Sequence, residues 1–233
     1  MENTKKNCSI QNIRKLTSNV LEFTLQLNED FEFTAGQFLT VHFEHNGAEI
    51  KRCYSIASGP ENKRELVLIV KLLEGEERKA SRYFEKLQTG DELTLSGPAG
   101  KLVLEESEKE VLMIATGTGI VPFLSMLKTE LPRSKRRFQL FWGLRYSKDI
   151  FYQDVLQSWK ENHPNFNYEI TISRTELDAW QGKRGRVSEH VKQLTDLQAK
   201  QIYLCGNPEM VNEILSYLDQ QGKSREELHF EAY

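Results

Sequence analysis

The sequence predicts an N-terminal antiparallel β-barrel followed by a C-terminal α/β domain with a five-stranded parallel sheet. Three observations predict it. Up to about residue 104, short apolar runs are separated by Gly, Pro, Asn and charged clusters, the spacing of a small closed β-structure. From Val111 on, strand and helix patterns alternate at the length of a βαβ unit, ~30 residues, which requires a parallel sheet. Between them stands Val111-Leu-Met-Ile-Ala-Thr-Gly-Thr-Gly-Ile-Val-Pro-Phe-Leu-Ser-Met-Leu127. It reads as a buried strand, a glycine turn and a helix with Pro122 in its first turn, where proline removes no needed N–H.

The first half reads in order as follows. Val20, Phe23, Leu25 and Leu27 are the apolar members of a loosely alternating stretch over residues 8–27. Phe38 to Phe43, Arg52 to Ala57, Leu66 to Leu73 and Leu93 to Leu95 are further strands. One helix interrupts them: Lys79 to Leu87 places Tyr83, Phe84 and Leu87 on one face. Gly97-Pro98-Ala99-Gly100 marks the barrel rim, and the charged run Glu105 to Lys109 is the expected linker, giving domains 1–104 and 110–233.

In the second half, Phe138 to Trp142, Tyr168 to Ile172, Gln201 to Leu204 and Leu228 to Tyr233 are the remaining strands. Asp149 is placed to cap a helix running to Asn162 with Phe151, Val155 and Trp159 on one face. Val187 to Leu194 and Pro208 to Gln221 read as helices. In a parallel sheet the turn after each strand falls on one edge, so Gly117, Gly143, Arg174 and Cys205 are expected to line one cleft.

Composition narrows the function. The chain has 233 residues, 39% hydrophobic and 28% charged, with a net charge of -3, enough for a soluble protein with two cores. Mild acidity without a basic stripe argues against nucleic acid. The cysteines, Cys8, Cys53 and Cys205, are far apart and odd in number, which suits neither a disulfide framework nor metal ligation and fits a reducing cytoplasm. No metal site is expected. The polar N-terminus lacks a signal-peptide core, and Val111 to Leu127 falls short of the ~20 apolar residues of a membrane span.

Two constellations carry chemistry. The Thr116-Gly117-Thr118-Gly119 turn opens a helix whose free N–H groups and positive dipole end attract phosphate; the alternative is a tight turn without ligand. Downstream, Ser173, Arg174, Lys183, Arg184 and Arg186 put cations at the same edge, as recognition of a 2′-phosphate requires. No acidic residue ends the second sheet strand to bind a ribose hydroxyl. In the first half, Arg52-Cys53-Tyr54-Ser55 alternates along a strand, combining a phosphate-suited fork with an aromatic face. Its alternative is a surface arginine beside a core tyrosine.

Taken in order, Gly36-Gln37, Arg52-x-Tyr54-Ser55, Gly97-Pro98-x-Gly100, Gly117-Thr-Gly-Ile120, Gly143-x-Arg145 and Cys205-Gly206-x-x-x-Met210 resemble the ferredoxin–NADP⁺ reductase superfamily. The resemblance implies a flavin-binding barrel, a nicotinamide-nucleotide domain, and a cleft where FAD and nicotinamide meet. It implies that Arg52 holds a flavin phosphate, Tyr54 stacks on the isoalloxazine, and Ser55 sits near flavin N5. Val70 and Lys71 would flank the ring, and Ala80 and Ser81 would belong to the phosphate loop. That loop usually has Gly three residues before the Ser; here Arg78 stands there, which leaves FMN open as the alternative to FAD. Thr116, Gly117, Thr118 and Gly119 would cradle the nucleotide pyrophosphate. Ser173, Arg174 and Arg186 would favour NADPH over NADH, Cys205 would lie beside the nicotinamide ring, and Arg145, Gly206 and Met210 would also be cofactor-binding.

Phe230-Glu231-Ala232-Tyr233 looks like the family's terminal aromatic preceded by a carboxylate, with Tyr233 as the flavin cover. The implied catalytic group is therefore Ser55, Cys205, Glu231 and Tyr233, in a reductase that moves hydride between NADPH and flavin and single electrons to or from ferredoxin or flavodoxin. Two alternatives stand beside it: the reductase component of an oxygenase or a free-flavin reductase, and a non-catalytic electron-transfer or regulatory subunit. Three scattered cysteines supply no Cys₄ cluster, so a one-electron carrier is expected to be a separate protein. Nothing demands a dimer, and a monomer is expected.

Overall fold

A computed structural model describes residues 5–75, 78–174 and 180–233. The chain divides into two compact units. One runs to Leu104 and also takes Leu124–Thr129; the other is Glu105–Phe123 with Glu130–Tyr233.

The first unit holds β1 (Lys6–Lys15), β2 (Val20–Leu27), β3 (Phe38–His45), β4 (Ala48–Ser55), β5 (Glu65–Lys71), α1 (Lys79–Phe84) and β6 (Glu92–Ala99). The strands form one antiparallel sheet in the order β4-β3-β6-β1-β2-β5, and an isolated bridge between Ile56 and Leu68 brings its two ends together. Alternation along β2 sends Phe23, Leu25 and Leu27 inward to meet Leu39, Val41, Leu66, Leu68 and Leu95. Phe84 plugs this core, packing edge-on to Phe23 at 5.2 Å and to Tyr54 at 5.0 Å. Its helix is shorter than the periodicity suggests. After Phe84 the chain tightens, with Lys86 and Leu87 donating to carbonyls only three residues back, so Leu87 packs on the core from a turn rather than from the helix.

The second unit holds β7 (Glu110–Thr116), α2 (Val121–Glu130), β8 (Phe138–Leu144), α3 (Gln153–Asn162), β9 (Phe166–Ile172), β10 (Lys183–Arg184), α4 (Val187–Val191), β11 (Lys200–Gly206), α5 (Pro208–Gln220) and β12 (Leu228–Ala232). All ladders of its sheet are parallel, in the order β10-β9-β8-β7-β11-β12. The sixth strand is the two-residue β10, too short for any periodicity to reveal. β7, β8 and β11 are buried along nearly their whole length, as central parallel strands covered on both faces must be.

Two helices of this second unit differ from the sequence reading. Asp149 does not cap α3: it lies in a 3₁₀ turn over Ser147–Asp149, and α3 starts at Gln153 after Tyr152, whose φ is +56°. Phe151 therefore precedes the helix and packs edge-on to Trp142 at 5.0 Å, while Leu156 is the helix's fully buried residue. α4 stops at Val191, again followed by three-residue hydrogen bonds.

The segment Glu105 to Lys109 is tied down. Arg136 donates to the carbonyls of Lys109 (2.9 Å) and Glu105 (3.0 Å) and to Gln201 Oε1 (2.5 Å). The Glu105 N–H donates to the Tyr203 hydroxyl (3.1 Å). Lys223, its side chain fully buried, donates to the carbonyls of Gln198 and Lys200 and to Glu227. These charged ties lie at the amino ends of β7 and β11, away from the strand ends where the glycine turns stand.

Candidate functional site

The parallel register collects one edge. Thr116 pairs with Gly143, Ala115 with Cys205, Gly143 with Thr171, and Gly206 with Ala232. The turns after β7, β8, β9 and β11 thus stand side by side, as the strand alternation predicts.

At its centre two glycine turns interlock. A Cβ on Gly119 would lie 2.2 Å from the Cys205 carbonyl oxygen and 2.8 Å from Gly206 Cα. A Cβ on Gly206 (φ +130°) would lie 2.4 Å from Thr116 Oγ1. Only hydrogen fits at either position, so the backbones approach closely. The Thr116 hydroxyl accepts from the Asn207 N–H (2.8 Å), and Asn207 Oδ1 accepts from the Glu209 N–H (2.7 Å), capping α5 with Pro208 in its first turn. Trp142 Nε1 donates to the Gly117 carbonyl (2.8 Å), which holds that carbonyl back against the sheet. Gly117 (φ +56°) faces open space: a Cβ there would meet nothing within 4 Å. A turn anchored from below and open above, leading through a 3₁₀ turn (Gly117–Ile120) into α2, fits a pyrophosphate.

Cys205 is fully buried. Burial, reinforced by the charge of Glu231, pushes its thiol up to about 12, although a hydrogen bond with the Tyr233 phenol pulls the other way. The thiol is therefore protonated at neutral pH and is not a thiolate nucleophile. The Tyr233 backbone N–H donates to the Gly206 carbonyl (3.1 Å). The residue as a whole is 59% exposed, yet its phenol oxygen is lodged against Cys205 and Thr118, and burial there raises its pKa well above the ordinary value. Glu231 is paired in register with Cys205 on β12. The structure thus brings Thr118, Cys205, Glu231 and Tyr233 together. Met210 does not join them through its side chain: it is buried in the core with Leu112, Leu204 and Ile214.

The cations divide. Lys183 is paired with Glu169, and Arg184 donates to the Trp180 carbonyl (3.1 Å). Arg186 is exposed, with its N–H bonded to Glu189 Oε2 (3.2 Å). Ser173 Oγ donates to the Leu144 carbonyl (3.2 Å), and the Arg174 N–H donates to the Arg145 carbonyl (2.9 Å), so the Ser173-Arg174 and Arg145 backbones are fastened together. The Arg174 guanidinium donates to the Tyr146 hydroxyl (3.2 Å). Tyr146 and Lys148 carry no sequence signal beyond their place directly after Gly143-x-Arg145.

In the first unit, β4 presents Arg52, Tyr54 and Ser55 against Val41, Leu39 and Phe38 of β3. Arg52 is exposed, and its guanidinium donates to the Lys51 carbonyl (2.8 Å). Tyr54 is half-buried against Phe84, and burial raises its phenol. An exposed guanidinium two residues from an aromatic ring on one strand fits a flavin bearing phosphate. Val70 is buried in the barrel core while Lys71 is exposed, so at Val70 the backbone is what is left to meet a ligand. Ala80 packs on the core. Ser81 is buried, and its hydroxyl accepts from the Leu73 N–H (2.7 Å), which leaves its own hydrogen to donate. Arg78, in place of the family's glycine, donates to Glu85 (3.0 Å).

Among the described residues, no cluster of three or more His, Cys, Asp or Glu side chains is placed to hold a metal ion, and no helix is long and apolar enough to cross a membrane.

The fold is that of an oxidoreductase with a flavin domain and a nucleotide domain. Residues 7–104 match the family model of the oxidoreductase FAD-binding domain, and residues 113–215 that of the oxidoreductase NAD-binding domain. The chain is 32% identical over 233 residues to ferredoxin–NADP reductase B of Sorangium cellulosum, covering 95% of this chain and 94% of that protein. It is 32% identical over 198 residues to the anthranilate 1,2-dioxygenase electron transfer component of Acinetobacter baylyi, covering 83% of this chain and 56% of that one. A solved ferredoxin NADP⁺ reductase from Neisseria gonorrhoeae with bound FAD and NADP superposes with a TM-score of 0.85 at 25% identity, over 98% of both chains. The chain belongs to the ferredoxin–NADP⁺ reductase superfamily of FAD- and pyridine-nucleotide-binding oxidoreductases.

Proposed function

We propose that this protein is an NADPH-dependent flavoprotein reductase that holds FAD as its cofactor and exchanges single electrons with a separate carrier, a ferredoxin or a flavodoxin. The observation that carries the reading is the joined Cys205–Tyr233–Thr118 group beside an open glycine turn. Bound flavin supplies the chemistry itself, accepting two electrons with a hydride and releasing them singly. The protein supplies place and electrostatics.

In this reading the Thr116 to Gly119 turn and the start of α2 hold the pyrophosphate through backbone N–H groups. Cys205, kept neutral by burial, sets the depth and tilt of the nicotinamide ring without competing for its electrophilic carbon. Tyr233 is held by one backbone hydrogen bond and its hydroxyl contacts, and it yields its place when the nicotinamide enters. Arg52 holds a flavin phosphate, Tyr54 the ring, and Ser55 donates its hydroxyl near N5. Glu231 and Ser55 hold the protons that accompany electron transfer. Arg145, Ser173, Arg174 and Arg186 favour the 2′-phosphate of NADPH, and a cytoplasmic monomer suits a diffusing carrier.

A second reading, the reductase component of an oxygenase, is favoured by the 32% identity to the dioxygenase component. An anaerobic visible spectrum with equal additions of NADPH and NADH separates the two. Much faster bleaching by NADPH is expected; equal bleaching moves the protein to the oxygenase group, and a chain that binds neither FAD nor FMN overturns both readings.

A further inference from the structure

The turn after β8 carries a feature that the resemblance does not assign. Two cations from different segments stand at the Tyr146 ring. Arg174, after β9, donates to its hydroxyl (3.2 Å) with the guanidinium carbon 6.0 Å from the ring centre. Lys148, in the 3₁₀ turn before α3, places Nζ 5.2 Å from the same ring centre. Two like charges around one ring repel each other, and the ring's negative face offsets only part of that cost. Two lysines of this unit do have carboxylate partners, Lys183 with Glu169 and Lys192 with Glu213. Among the described residues, neither Arg174 nor Lys148 belongs to an ion pair with a carboxylate. Neither do Arg145 and Arg186. Positive charge held in place by a ring and two backbone ties, with no carboxylate paired to it among the described residues, is the arrangement that a dianion completes.

We propose that Tyr146 and Lys148 form, with Arg174, the seat of the nucleotide's 2′-phosphate, and so are further specificity-determining residues of this reductase. This rests on the NADPH reading above. The chemistry is complementary. The Tyr146 hydroxyl already accepts from Arg174, so its own hydrogen is free to donate to a phosphate oxygen. Arg174 offers its remaining guanidinium N–H groups, and Lys148 a mobile point charge. A 2′-phosphate carries between one and two negative charges at neutral pH, enough to neutralise most of the pair. A bare ribose hydroxyl offers no such charge, and it leaves the two cations facing each other.

The test is calorimetric titration of the purified full chain with adenosine 2′,5′-bisphosphate and with adenosine 5′-diphosphate. Wild type, Tyr146→Phe, Lys148→Ala and Arg174→Ala are compared, with thermal unfolding as the control for folding. The wild type is expected to prefer the 2′-phosphorylated ligand at least tenfold. Each variant is expected to shrink that preference by about 5- to 20-fold, the loss of one charge-assisted contact. Tyr146→Phe keeps the ring and removes only the hydroxyl, so its loss isolates the proposed hydrogen bond. A preference lost in Arg174→Ala but intact in both Tyr146→Phe and Lys148→Ala refutes the proposal and leaves the NADPH reading standing. A wild type without preference refutes both.

Discussion

Gly119 offers the sharpest perturbation. Its φ is ordinary, so Gly119→Ala introduces no backbone strain of its own; the cost is steric. The new methyl would sit 2.2 Å from the Cys205 carbonyl oxygen, 2.5 Å from the Cys205 carbonyl carbon and 2.8 Å from Gly206 Cα. All three are main-chain atoms of a fully buried strand, so no side chain can swing aside. Ordinary contact requires the two turns to separate by about 1 Å, against the pairing of β7 with β11 and the Asn207 to Thr116 hydrogen bond. Overpacking of this kind costs about 3 kcal/mol, or roughly 10 °C in the melting of the second unit. Gly117→Ala is the internal comparison: it clashes with nothing but must hold φ +56°, which costs about 1 kcal/mol. Denaturation followed by circular dichroism, with flavin absorbance reporting the first unit, measures both. A Gly119→Ala protein within about 0.5 kcal/mol of wild type, or less damaged than Gly117→Ala, refutes the close-approach argument.

Cys205→Ser is expected to leave stability within about 1.5 kcal/mol and to slow flavin reduction by NADPH at least ~10-fold in stopped-flow absorbance; an unchanged rate removes Cys205 from the site. Lys223→Met strands the Gln198 and Lys200 carbonyls and leaves Glu227 with Lys109 alone, at a cost of about 3 kcal/mol in chemical denaturation, and a variant as stable as wild type would show that network to be idle. Acid titration of the urea midpoint tests the carboxylates of the second unit. Hydrogen bonds from Lys109 and Lys223 lower Glu227, one from Lys192 lowers Glu213, and one from Lys200 lowers Asp196. Their unfolded values near 4.5 and 3.8 lie above the folded ones, so these contributions are fully present above about pH 5 and are lost as pH falls through the folded values. A midpoint that stays flat from pH 7 to pH 3 contradicts that linkage.

Much of the site was legible because its signals are local. Gly117 and Gly119 stand out as a turn between an apolar run and a helix with Pro122, and the strand alternation alone places Gly143, Arg174 and Cys205 on one edge. The pairing of Tyr146 with Arg174 and Lys148 was not legible, because it joins residues of two turns whose neighbourhood depends on the β8–β9 register. The different fates of Lys183 and Arg174 were hidden for the same reason: both read as cations of one basic stretch, and only the sheet sets Glu169 beside the first.

The sequence by itself determined the class of each sheet and the order of the motifs along the chain. Those follow from periodicity, turn residues and composition within windows of about a dozen residues. Tertiary structure alone decided where α3 begins, that β10 adds a sixth strand, and that Met210 and Val70 spend their side chains on cores. It also decided that Ser81 ties down Leu73 and that Gly119 and Gly206 meet. Each of these depends on which distant backbone lies within a few ångströms, and that distance is set by packing whole elements together rather than by any residue's own preference.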